Sequence, residues 1–324
     1  MRNGILFILF SLLTQFSLAE PVLKISGEGA GQFQSWWWQA KQPQAETVIL
    51  LSGPNDHWNS DAAWWLTLAP MLQKHTHVVA IERPVIGLNL EAPQLGYVAF
   101  AKQVKQVITE QGIDDFSIVA FASSNMTVLQ LLNQYPELSP RKVILIDPDV
   151  LTEFSVSRYQ ADAQPFKDKQ KQYQEYLQSG KYIARVQQKN AAELEHIKKL
   201  APEFNDEQRH WLQDIFSARE KIPNQVNLFS EIAVYGEDLA RAKQLGWPDE
   251  LPMMIIDTDF EQGYINRNDD AQAIEGLQKW RKDAWKHYKS LTQGEHKKLI
   301  SLESQEHLIM IEQPELIIKL LIKS

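Results

Sequence analysis

The stretch Ser117–Met126, SIVAFASSNM, runs from an apolar segment through a cluster of small residues into a helix-forming sequence that stops at Tyr135-Pro136-Glu137. A strand, a tight turn and a helix in that order form the elbow in which the motif G-x-S-x-G presents a reactive serine at the top of a sheet. The chemistry of such a serine is nucleophilic attack on an ester or amide carbonyl, with a neighbouring base taking its proton. Counted forward from Phe116 without a gap, Ala120 takes the first glycine's place, Phe121 precedes the apex, and Ser124 and Asn125 take the places of the later glycines. The apex is then Ala122, and a methyl group cannot attack a carbonyl. Ser123 and Ser124 carry hydroxyls, but the strained turn aims only its apex side chain at the site, so either would act only after the elbow had slipped. Small residues here also permit close packing of strand on helix.

Other chemistries find less support. Cysteine is absent, which removes disulfides, thiol catalysis and thiolate metal sites. His57, His75, His77, His196, His210, His287, His296 and His307 form neither H-x3-H nor H-E-x-x-H spacing, so no metal site is indicated. No Gly-rich phosphate loop occurs, and no cofactor is expected. A net charge of −8 argues against a nucleic-acid partner, whose phosphates require clustered Lys and Arg.

An elbow of this kind needs a sheet to carry it. Continuous apolar runs of strand length occur at Thr47–Ser52, His77–Glu82, Ser117–Phe121, Lys142–Ile146, Met253–Ile256 and Lys298–Leu302. Runs apolar on both faces imply strands buried on both sides. Helical patterns over Ala62–Lys74, Val98–Gln111 and Met126–Gln134 alternate with them, which predicts a βαβ architecture. The alternation stops after Asp147-Pro148-Asp149, where the chain turns polar and helical. Phe166–Ser179 is a helical pattern ending at Gly180, Asn190–Leu200 is another, and Asn205 reads as the N-cap of Asp206–Lys221, which Pro223 ends. The sheet pattern resumes at Leu251-Pro252. Residues 151–250 are therefore expected to form a helical cap inserted over the strand ends, where open α/β sheets bind ligands, between core segments 20–150 and 251–324.

In this order the motifs resemble those of the α/β-hydrolase fold family, over nearly all of the chain after its N-terminal segment. Leu50-Leu51-Ser52-Gly53-Pro54 resembles the family's L-H-G-x oxyanion loop, with Ser52 in place of His. Glu82-Arg83-Pro84-Val85-Ile86-Gly87 resembles its D-R-P-G-x-G turn, and Lys142–Pro148 its strand after the elbow helix. His307-Leu-Ile-Met-Ile-Glu312-Gln-Pro314-Glu315 closely matches H-x4-E-x-P-E. The resemblance implies an α/β fold with a mostly parallel sheet flanked by helices, esterase-like descent, and His307 as the catalytic base.

The same resemblance marks departures. Its spacing back from the Tyr of the Y-P-E helix end, applied to Tyr135, falls again on Ala122. Pro54 stands where the family donates an oxyanion N–H, and proline has none to give; a side chain such as Asn55 or Asn125 would have to replace it. The family's acid, laid on Pro252, falls on Glu261, with Asp259 and Asp257 close by and Asp149 at the alternative position after the sixth strand. The reading that results is a hydrolase-like protein that has lost its serine machinery and acts as a binder or scaffold. Its partner would be a small apolar or ester-like molecule held between cap and core. The alternative is an active ester or amide hydrolase using Ser123 with His307; a third is chemistry needing only His307 and carboxylates. Trp58 and Trp64, close to the oxyanion loop, belong either to the wall of that pocket or to the core.

At the N-terminus, Met1-Arg2-Asn3 supplies one positive charge, Gly4–Leu13 is apolar, and Ser17-Leu18-Ala19 offers small residues for cleavage. This layout predicts a secretory signal peptide over residues 1–19 and a mature chain starting near Glu20. The apolar run falls short of the ~20 residues that cross a bilayer, so no stable membrane span is expected after its removal. The expected location is the periplasm or outside the cell.

Overall fold

The protein's computed structural model describes residues 21–27, 32–54, 58–83 and 95–322. Among them the sheet has eight strands, in the order β1 (Val22–Ser26), β2 (Phe33–Trp38), β4 (His77–Ile81), β3 (Thr47–Leu51), β5 (Phe116–Phe121), β6 (Val143–Ile146), β7 (Met253–Asp257) and β8 (Lys297–Ser301). The pairs β1–β2 and β2–β4 are antiparallel, and every other pair is parallel. The central strands β3, β5 and β6 are buried at every residue, which is why they read as unbroken apolar runs. β1 and β2 carry no such run. They lie at the antiparallel edge, where burial alternates along β2, and Val22 and Ile25 of β1 are exposed.

Side chains alternate across the strands and build a core on each face. On one face Leu50, Ala80, Phe121 and Ile146 pack against Trp64, Trp65 and the C-terminal helices α11 (Ile309–Glu312) and α12 (Pro314–Ile322). On the other, Ile49, Val79, Ile118 and Leu145 pack against Phe100 and Val104 of α2 (Tyr97–Glu110). Helix α3 (Ser124–Gln134) follows the elbow; α1 (Leu68–Leu72), α9 (Phe260–Asn266) and α10 (Ala271–Leu291) complete the flanking layers.

Five helices lie between β6 and β7: α4 (Glu153–Asp168), α5 (Gln170–Gln178), α6 (Ile183–Leu200), α7 (Asp206–Arg219) and α8 (Ile222–Ala242). The helix expected over Phe166–Ser179 is split at Lys169, which leaves helical geometry between α4, continuous past Pro165, and α5. Asn205 caps α7 in a reciprocal box with Gln208, and Pro223 opens α8 from its first turn.

Two buried arginines tie these helices to the sheet. Arg219 of α7 reaches Asp61 with two hydrogen bonds, of 2.6 and 3.0 Å, and pairs with Glu193 of α6. Arg83, just past β4, pairs with Glu231 of α8. Among the described residues no helix is long and apolar enough to cross a membrane.

Candidate functional site

The site begins where β5 ends. Ala122 sits between β5 and α3 with φ 48°, in the left-handed region, and its N–H bonds to Ile146 O at 2.9 Å. For alanine that conformation costs on the order of 1 kcal/mol, a strain held by the strand on one side and the helix on the other. Gly53 packs directly against this turn. A Cβ at Gly53 would lie 2.3 Å from Phe121 O and 2.7 Å from Ser123 N, so only glycine allows the approach. Pro54 follows and lines the cavity in front of Ala122. Asn55 lies outside the described residues; the Asn125 amide is engaged at Asp149 O, 2.9 Å away.

His307 follows β8 and faces the same cavity as Ala122, a space of about 210 Å³. Its Nδ1 lies 2.9 Å from Oδ2 of Asp147. Asp147 stands directly after β6 with φ 43° and is buried; its carboxylate also accepts hydrogen bonds from Thr258 N at 2.8 Å and Thr258 Oγ1 at 2.7 Å. With Nδ1–H given to Asp147, the tautomer leaves Nε2 as the basic nitrogen. Phe260 stacks on the imidazole at 4.1 Å and Phe121 lies tilted against it at 4.5 Å, so the ring is held by packing as well as by Asp147. The arrangement can hold a proton acceptor in a fixed pose.

The carboxylate on His307 is a correction to the expected Glu261 or Asp259. Glu261 is 1% exposed in the first turn of α9, and neither of its oxygens has a hydrogen-bond partner among the described residues. Burial, with Asp147 nearby, pushes its carboxyl up to about 8. Asp259 stands at the N-cap position of the same helix with φ 61°, makes no side-chain capping bond, and pairs with Arg281 at 2.5 Å. Asp257 holds Arg281 through two bonds, of 2.9 and 3.0 Å. Asp149 lines the cavity, but its carboxylate accepts from Tyr235, and burial raises it to about 6. The sequence signal for Asp147 is its place directly after the apolar run Lys142–Ile146, two residues before Asp149.

Ser123 is buried, and its hydroxyl shares a hydrogen bond with Tyr97 OH. The Tyr97 ring lies under the Arg83 guanidinium at 4.2 Å. Among the described residues no hydrogen bond joins Ser123 to His307. Trp64 is part of the core, whereas Trp58 lines the cavity. No group of three or more His, Asp and Glu side chains among the described residues could hold a metal ion.

No family model matches the chain, and no curated protein sequence matches it. Solved structures do. Cfl2 from Burkholderia cenocepacia is similar with a TM-score of 0.61 at 16% identity, over 94% of this chain and 95% of its own. The epoxide hydrolase CorEH is similar with a TM-score of 0.61 at 13% identity, over 94% of this chain and 98% of its own. An α/β-hydrolase fold protein from Burkholderia ambifaria gives 0.56 at 15% identity, over 90% of this chain and 94% of its own. Likeness at these identities speaks for the fold: the chain has the α/β-hydrolase fold.

Proposed function

With the α/β-hydrolase fold as its frame, we propose that this protein binds a small molecule in the cavity between Ala122, His307 and the helices inserted after β6, and performs no serine acyl transfer. The observation that carries this reading is Ala122 at the left-handed apex between β5 and α3, where a nucleophile's side chain would project. Loss of the serine from a triad enzyme costs about 10⁶ in kcat, or ~8 kcal/mol. Pro54 adds an independent deficit of about 3–4 kcal/mol, the usual cost of one missing oxyanion donor. Short-chain aryl esters should be hydrolysed by the purified protein no faster than by buffer; turnover that disappears in Ser123→Ala would overturn the reading in favour of an ester or amide hydrolase using Ser123. Against that alternative stands the engagement of the Ser123 hydroxyl by Tyr97.

A second reading is favoured by one observation, the intact pair of His307 with Asp147. In it the pair acts as a general base on a bound substrate, with no covalent intermediate. Any activity of that kind should fall by about 10²-fold or more in His307→Ala, yet survive Ser123→Ala.

A further inference from the structure

The cavity in front of Ala122 has a wall of unusual composition. Trp58 meets Tyr235 at 6.1 Å, Tyr235 meets Tyr159 at 6.3 Å, Tyr159 meets Trp280 at 6.1 Å, and Trp280 meets Phe260 at 5.6 Å. These five rings all line the cavity, forming a belt that ends on the imidazole of His307. The charges on the same wall are negative. Asp149 contributes a carboxylate fixed by Tyr235 on one oxygen, while the other accepts no hydrogen bond among the described residues. Its backbone is fixed too, since Asn125 donates to Asp149 O and Tyr288 to Pro148 O. Asp162 stands exposed on the cavity lining.

No lysine or arginine lines the cavity among the described residues. Arg281 is paired with Asp257 and Asp259, and Arg83 with Glu231. Arg158 packs on Trp280 at 4.5 Å, so one ring of the belt already carries a cation on its face. Aromatic faces are electron-rich, and rings gathered around a carboxylate form the arrangement that recognises quaternary ammonium groups. The volume of about 210 Å³ lies below the roughly 300–1,000 Å³ of pockets for drug-sized ligands, so the fit is to a small head group.

We propose that the cavity takes a small organic cation of the alkylammonium class, held on the aromatic belt with Asp149 as its counter-charge. The proposal rests on the reading that this cavity holds a ligand and names that ligand's chemistry. Choline and 3,3-dimethyl-1-butanol, its neutral isostere, test it directly. Each is titrated into the full-length protein by calorimetry, with the tryptophan fluorescence of Trp58 and Trp280 as a second readout. Choline should bind about tenfold or more tightly than the alcohol. Asp149→Asn should bring choline down to the alcohol's affinity and leave the alcohol unchanged. Equal affinities in the unmodified protein would overturn the cationic assignment while leaving small-molecule binding in place. No binding of either would likewise overturn the alkylammonium assignment. Should Asp149→Asn fail to fold, the ratio of the two ligands in the unmodified protein decides alone.

Discussion

A single missing Cβ holds the elbow and the preceding loop together. Gly53 has no side chain, and its backbone lies where any Cβ would strike Phe121 O and Ser123 N. Gly53→Ala should therefore destabilise the protein by about 3 kcal/mol or more, read from urea unfolding, since backbone on two sides cannot give way. A loss under about 0.5 kcal/mol would mean that the loop is not packed as described. Glu261 makes a different statement. Its folded carboxyl is pushed up to about 8 from an ordinary value of 4.5, so between those values the folded chain holds a proton that the unfolded chain has released. Stability contributed by this group is full below about pH 4.5 and is lost as pH rises through about 8. Glu82, likewise raised to about 8 by burial and by Asp61, acts in the same direction. Glu261→Gln should leave stability at pH 4 unchanged and raise it at pH 8, by on the order of 2–4 kcal/mol. Parallel curves for the two proteins between those pH values would contradict the burial of a carboxyl that lacks a hydrogen-bond partner.

Helices α6 and α7 are joined to the sheet through Arg219, which bridges Asp61 and Glu193 out of contact with water. Removing the guanidinium takes the counter-charge from two buried carboxylates, so Arg219→Met should cost about 3–5 kcal/mol by urea unfolding. A cost below about 1 kcal/mol, typical of an exposed pair, would show the helices to be loosely held. These ties were not legible in the sequence, because each joins residues far apart in the chain. What was legible follows from burial. β3 through β7 read as apolar runs because they are covered on both faces; β8 has a short apolar run although it is an edge strand with no buried residue, whereas β1 and β2, with alternating burial or exposed residues, have none. The N-cap of α7 is readable from Asn205, a residue type that favours that position. At the site, His307 and the Ala122 apex were found from local patterns. Asp147 was not: its role depends on the ends of β6 and β7 lying side by side, which brings Thr258 onto its carboxylate and His307 within 2.9 Å.

For the molecule as a whole, the fold supplies a frame that many chemistries share, so function must be read from the site. We propose that residues 1–19 direct export and are removed; mass spectrometry of protein recovered from the native host should find Glu20 or a near neighbour first, and an intact Met1 in the membrane fraction would contradict this. The central claim is that the frame carries a base without a nucleophile, and reactivity toward a serine-directed fluorophosphonate measures it most directly. The unmodified protein should remain unlabelled, because the Ala122 apex offers no hydroxyl. Ala122→Ser should acquire labelling, since His307 and Asp147 stand in hydrogen-bonded contact beside that position, and Pro54→Gly in the same background should raise it further by restoring a backbone donor. Strong labelling of the unmodified protein that vanishes in Ser123→Ala would contradict the account.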